Sequence, residues 1–248
     1  MTDWLDEQPR SIAQLLVYCQ TAWGKELSKW TVMRILKAAG YVWKRMRHSL
    51  KSKRNQVAFQ AFAQQLRYWK IAEDRGWLDL YFFDESGFNL VPYIPYAWQK
   101  KGQHIELFPD KSKCHHTVLG LLNRAMDFHA VMVKGCPNSE IVIACMDQFC
   151  LDIRTKAHAP AKTIVVMDNN PTHRSKKFQE RIQHWRQQGL FIAHLPAYSP
   201  ELNLIENLWR FIKYDWLPWS AYLNENSLVN ELADILDNIG SKYRITFA

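Results

Sequence analysis

The chain has 248 residues, 48% of them hydrophobic, with a mean hydropathy of −0.33 and a net charge of +8. That length holds one large domain or a domain plus a small module, and no stretch approaches the roughly 20 apolar residues of a membrane-spanning helix. Five cysteines (Cys19, Cys114, Cys136, Cys145 and Cys150) are odd in number and form no C-x-x-C pair, which argues against a disulfide framework or a zinc site.

The charge is unevenly placed. Residues 1–74 hold 13 Lys and Arg against 6 Asp and Glu, a net +7 that leaves +1 for the remainder. A basic N-terminal module ahead of a near-neutral body points to a polyanion grip attached to a catalytic or packing domain. The N-terminus carries Asp3, Asp6 and Glu7 and lacks the apolar core of a secretory signal, so a cytoplasmic location is expected.

In chain order, residues 11–22 read as a helix with Ile12, Leu15, Leu16 and Cys19 on one side, broken at Gly24. Ser28 caps a second helix over 29–39 with Val32, Ile35 and Leu36 inward, ended by Gly40. This pair, with Lys29, Trp30, Arg34 and Lys37 exposed on the second helix, is a helix-turn-helix candidate, although any small helical pair would read alike. Residues 41–50 follow as an extended basic segment, a candidate wing. Between 44 and 54 stand Lys44, Arg45, Arg47, Lys51, Lys53 and Arg54 with no acid, a run that phosphate binding explains better than solvation does. The expected division is a DNA-binding module over 1–55, a helical linker over 56–76 and a main domain over 77–248.

The main domain opens with a strand over 78–84, whose parity places Asp84 on the face opposite Glu85. A second strand is expected over 96–100, and residues 117–122 and 128–133 form a hairpin around 123–127. A helix over 138–154 carries Ile141, Val142, Cys145, Met146, Phe149 and Cys150 inward. The apolar run 163–167 is a buried central strand, and it ends at Asp168 in Asp168-Asn169-Asn170-Pro171-Thr172-His173. A helix over 175–188, a strand over 190–195, a helix over 199–212 and a C-terminal helix over 227–239 complete the chain.

In the 199–212 helix Ser199 is the expected N-cap and Pro200 the first helical residue. Leu202, Ile205, Leu208, Trp209 and Ile212 form the core face, while Asn203, Glu206 and Arg210 share another face. Taken alone, Glu206 is an ordinary solvated helix carboxylate. With Asp84 and Asp168 at strand ends, three carboxylates make a donor set suited to hard divalent cations. The order β-β-β-α-β-α-β-α, with acids at the first strand, the fourth strand and the last helix of that order, is that of a ribonuclease-H-like α/β fold: a mixed five-stranded sheet flanked by helices, here behind a small helical module.

Three blocks carry a family resemblance: Asp84-Glu85-Ser86-Gly87-Phe88, the Asp168–His173 block, and Tyr198-Ser199-Pro200-Glu201-Leu202-Asn203-Leu204-Ile205-Glu206-Asn207-Leu208-Trp209. Together they resemble the signature blocks of mariner-superfamily bacterial insertion-sequence transposases, over essentially the whole chain. The resemblance implies an Asp-Asp-Glu triad of Asp84, Asp168 and Glu206, with 37 residues between the last two. It implies two Mg²⁺ ions, replaceable by Mn²⁺, with Asp84 bridging both, Asp168 on one and Glu206 on the other. It also implies cleavage and joining of double-stranded DNA at terminal inverted repeats and target sites by a nucleoid-associated homodimer.

Asn170, His173 and Asn203 are expected to support the carboxylates or to touch DNA, against turn and helix-capping roles for the Asn-Asn-Pro-Thr sequence. Relatives of this type carry a further helix-turn-helix module upstream, so the resemblance implies an N-terminally truncated copy. Two alternatives stay open at this level: a stand-alone ribonuclease-H-like nuclease, and a DNA-binding derivative that keeps the fold without cutting.

Overall fold

The computed structural model describes residues 11–43, 51–93, 100–102, 115–155, 160 and 162–247. The chain divides into two compact units, 1–49 and 50–248. The strand expected over 96–100, apart from Lys100, the greater part of the expected wing, and Lys44, Arg45 and Arg47 lie outside the described residues.

In the first unit, helix α1 (Ile12–Trp23) begins with a reciprocal cap between Ser11 and Gln14, and stops where Gly24 takes a left-handed φ of 63°. Helix α2 (Lys29–Ala38) begins at Ser28, whose side chain accepts from the Thr31 N–H. Leu15, Cys19 and Val32 form the buried centre, with Ile12, Leu16 and Leu36 around it. Ile35 is 39% exposed rather than inward, because Val32 and Leu36 already fill the face that meets α1.

The second unit is a five-stranded sheet in the order β3-β2-β1-β4-β5. Its strands are β1 (Asp79–Asn89), β2 (His115–Asn123), β3 (Phe128–Lys134), β4 (Thr163–Met167) and β5 (Leu190–His194). β1 pairs antiparallel with β2 and β2 with β3, whereas β1, β4 and β5 run parallel. Alternation along β1 splits the core in two. Leu80 and Phe82 join the cluster under α3 (Gln56–Asp74), α6 (Ile205–Phe211) and α7 (Glu225–Asp237). Tyr81 and Phe83 join the cluster under α4 (Ser139–Thr155) and α5 (Lys176–Gln187). β4 feeds both, with Val166 on one side and Val165 and Met167 on the other, which is why its sequence is an unbroken apolar run.

Further expectations change, and β1 runs on past Asp84 to Asn89. The helix expected to be a linker belongs to the second unit, since Leu66 of α3 is buried in its core, worth about 1.5–3 kcal/mol, with Phe62 and Trp69 packed partly buried against it. The single helix expected over 199–212 is broken: a 3₁₀ turn (Pro200–Leu202), an extended Asn203 at φ −95° and ψ 102°, α6, then a wide π turn (Ile212–Trp216). Ser199 makes no capping hydrogen bond. Asn203 is held out of the helix because its buried side-chain amide donates to the Phe83 carbonyl at 3.1 Å.

Candidate active site

Phe82 of β1 pairs with Val166 of β4 in parallel register, so two residues further on Asp84 stands beside Asp168. Both point to the face covered by α6. Glu206, in the first turn of α6, opens onto the same cleft, a cavity of about 370 Å³ walled by Asp84, Asp168, Glu206, Asn203 and the loop from Pro196 to Pro200. Within that loop Tyr198 adopts a left-handed φ of 59°, a conformation that costs a non-glycine residue about 1–3 kcal/mol.

Each carboxylate has a different electrostatic setting. Burial raises the Asp84 carboxyl to about 7, and the charge of Glu206 and then that of Asp168 add to the effect. Its Oδ2 accepts a hydrogen bond from the Trp209 indole N–H at 3.1 Å. Asp168 is also subject to burial, which would raise it, but donors outweigh this and hold it below the usual carboxylate range. Those donors are His173 Nδ1 at 2.9 Å and the Asn170 backbone N–H at 3.0 Å. Glu206 is raised by partial burial against the cleft wall, opposed by the Lys213 ammonium and reinforced by Asp168.

Buried His173 bridges Asp168 to Glu85, its Nε2 lying 3.2 Å from Glu85 Oε1. Burial alone would lower the imidazole, yet its two carboxylate partners raise it to about 9, so it is a cation at neutral pH. Phe83 and Phe178 enclose the ring edge-on and tilted.

The other expected residues fall into distinct places. Asn170 accepts from the Thr172 N–H and hydroxyl, which is the turn-capping role, while its backbone N–H serves Asp168. Asn203 props β1 one residue before Asp84. Lys29, Arg34 and Lys37 are exposed on α2, and Lys51 and Lys53 are exposed on a 3₁₀ turn (Lys51–Lys53). Arg54 does not stand out from the surface with them. It is folded against Phe59 and Glu201, with its side chain only 9% exposed.

Four residues the sequence did not single out complete the site. Trp209 reads as core by spacing, and nothing local reveals that its N–H meets Asp84. Gly120 pairs with Asp84 across the β1–β2 ladder, and a Cβ there would lie 2.7 Å from the Trp209 ring, so only glycine admits the indole. Glu85 holds the far side of His173. Lys213, in the π turn, lies over the Phe88 and Tyr93 rings at 5.2 and 5.0 Å and is the nearby cation that offsets Asp84 and Glu206.

Among the described residues no three His, Cys, Asp or Glu side chains are already gathered as an ion cage. The cleft nevertheless suits hard cations: its donors are carboxylate oxygens, and the burial and mutual repulsion that raise Asp84 are what an added positive charge would relieve.

Residues 79–228 match the family described as DDE superfamily endonuclease. The chain belongs to that family. The DDE chain is 24% identical over 190 residues to the 39 kDa protein of insertion element IS630 from Shigella sonnei, covering 75% of this chain and 52% of that protein. It is 27% identical over 176 residues to the Tcb2 transposase of Caenorhabditis briggsae, covering 65% of this chain and 59% of the other. It thus spans between half and three fifths of the length of these curated relatives.

The fold matches the Mos1 mariner paired-end complex with Mg at a TM-score of 0.62 and 15% identity, covering 95% of this chain and 69% of that one. The corresponding complex with Mn gives a TM-score of 0.61 at 15% identity, with coverage of 95% and 70%. The DDE chain accordingly has the ribonuclease-H-like fold, a mixed five-stranded sheet flanked by helices. Among the described residues no helix is long and apolar enough to cross a membrane.

Proposed function

We propose that this DDE chain is a transposase that binds the terminal inverted repeats of an insertion sequence as a homodimer, cuts the DNA there, and joins the freed 3′ end to a target duplex. The observation that carries this reading is the convergence of Asp84, Asp168 and Glu206 on one cleft from two strands and a helix distant in sequence. In this reading those three side chains hold two Mg²⁺ or Mn²⁺ ions. The ions, when bound, supply Lewis-acid activation of the attacking oxygen and charge stabilisation of the leaving one.

The protein's own part is positional. Trp209 fixes one oxygen of Asp84, and His173 with the Asn170 N–H fixes Asp168. Lys213 limits the excess negative charge before substrate arrives. The walls from Pro196 to Pro200 confine the scissile phosphate and the attacking water, or later the 3′-hydroxyl, to one side of the carboxylates. No protein nucleophile is needed, so Ser86 and His173 have no covalent role.

The test is divalent-ion-dependent nicking of DNA carrying the element's own ends. Wild-type protein should cut with Mg²⁺ or Mn²⁺, and Asp168→Asn or Glu206→Gln should each reduce cutting at least about a hundredfold while DNA affinity stays within a few-fold. Near-normal nicking by either variant would remove that residue from the site. Absence of nicking by wild type would favour a DNA-binding derivative.

The exposed cations of α2 are the proposed phosphate grip. DNA affinity should fall with salt, and converting Lys29, Arg34 and Lys37 to Ala should make the log–log slope shallower by about 0.9 for each phosphate no longer neutralised. A slope unchanged in the triple variant would move the grip elsewhere in the chain.

A further inference from the structure

Arg54 has the sequence context of a phosphate ligand and the structural surroundings of a buried strut. Its guanidinium lies 3.8 Å from the centroid of the Phe59 ring. It pairs through Nη1 with Glu201 and donates from Nη2 to Gln56 at 3.2 Å. Its Nε is buried, with no partner among the described residues. Lys51 adds a second, looser contact to the same Glu201 oxygen at 3.7 Å. An arginine 9% exposed, stacked and ion-paired has little left to offer a DNA backbone, whereas its neighbours Lys51 and Lys53 remain exposed.

The acceptor's position gives the contact its meaning. Glu201 is the middle residue of the 3₁₀ turn (Pro200–Leu202) that opens the segment leading to Glu206. That turn closes through Leu202 N–H to Ser199 O at 3.1 Å and Asn203 N–H to Pro200 O at 2.8 Å. The next link, Glu206 N–H to Asn203 O at 3.2 Å, starts the helix that carries the carboxylate. Asn203 ties the same turn to β1 beside Asp84. The segment is therefore held at two points, by Asn203 from the sheet and by Arg54 from just ahead of α3.

We propose that Arg54 is a positioning residue: by clamping Glu201 it fixes the 199–203 turn, and through it the placement of Glu206 against Asp84 and Asp168. The proposal rests on the cleavage function proposed above and makes demands that a phosphate-binding role would not. A phosphate-binding Arg54 would be held back by Glu201, so Glu201→Gln should strengthen DNA binding and Arg54→Gln should weaken it, with a salt slope shallower by about 0.9. An Arg54 that positions the turn predicts the same direction for both variants.

In full-length protein, Arg54→Gln and Glu201→Gln should each lower the nicking rate at saturating DNA by roughly ten- to hundredfold, the loss expected from a small misplacement of one catalytic group. DNA affinity and salt slope should stay at wild-type values. The double variant should be no worse than either single one, and the exchanged pair Arg54→Glu with Glu201→Arg should recover part of the rate.

Amide hydrogen exchange over 199–206 should rise in both single variants whether or not the protein cuts, so it tests the clamp even if wild type does not nick and the cleavage reading fails. Should Arg54→Gln not fold, Glu201→Gln decides alone. Unchanged exchange and unchanged saturating rate in Glu201→Gln, or a shallower salt slope in Arg54→Gln, would overturn the proposal.

Discussion

Asp84→Asn should end DNA cleavage and, without divalent ions, make the protein more stable at pH 8. The second effect follows from the raised Asp84 carboxyl, at about 7 in the fold against about 3.9 for a free side chain. An acid whose folded value lies above its unfolded one is at no disadvantage in acid, where both states are protonated. As pH rises from about 4 the unfolded chain ionises first, and stability is lost until the folded group ionises near 7. A gap of about three units corresponds to roughly 4 kcal/mol in the limit, and about 2–4 kcal/mol is a reasonable expectation.

Asparagine carries no charge to desolvate, and its carbonyl can still accept from Trp209. Thermal or urea unfolding of wild type and Asp84→Asn, both with chelator, should show a gap in favour of the variant that is widest above pH 7 and closes toward pH 4. Millimolar Mg²⁺ should then stabilise wild type and have little effect on the variant. A wild type as stable as the variant at pH 8 would mean that Asp84 carries no such burden.

His173→Phe should be the most damaging single change beyond the three carboxylates. The ring would keep its place between Phe83 and Phe178, but Asp168 and Glu85 would lose the cation between them. Glu85 would be left mostly buried and unpaired while Asp168 is half exposed, so the cost should fall short of the roughly 3–5 kcal/mol of a fully buried pair. The pH dependence has the opposite origin from that of Asp84. The folded imidazole is raised to about 9 from about 6.5 unfolded. Its contribution, roughly 3 kcal/mol, is fully present below pH 6.5 and is lost as pH rises through 9. The wild-type minus His173→Phe stability difference should shrink across that window. A difference flat from pH 6 to 10 would show that the histidine bridges its partners as a neutral ring.

Local pattern and distant partner disagree at two places in this chain. The helix expected to span 199–212 satisfied every local rule, with a capping serine, a first-turn proline and an apolar stripe. It is broken because Asn203 finds a better partner in the Phe83 carbonyl, 120 residues away in sequence. The run of cations ending at Arg54 read as one phosphate-binding strip, and its last member left the strip because Glu201, 147 residues further on, lies against it.

The sequence by itself determined the central strands of the sheet and singled out three candidate acids. An unbroken apolar run into Asp168 marks a strand buried on both faces, and the alternation of Leu80, Phe82 and Asp84 against Tyr81 and Phe83 assigns Asp84 its side. The block around Glu206 identifies the third acid by its resemblance to known transposases. The strands and the faces of their residues are written in spacing along the chain, where hydrophobic burial leaves a period of two or of 3.6 residues. Only the tertiary structure decided the partners of those acids: Trp209 over Gly120 beside Asp84, His173 between Asp168 and Glu85, Lys213 facing Asp84 and Glu206, and Arg54 on Glu201. Each rests on polar contacts set by strand register, turn geometry and helix placement. Such interactions leave no repeating signal in the residues that make them.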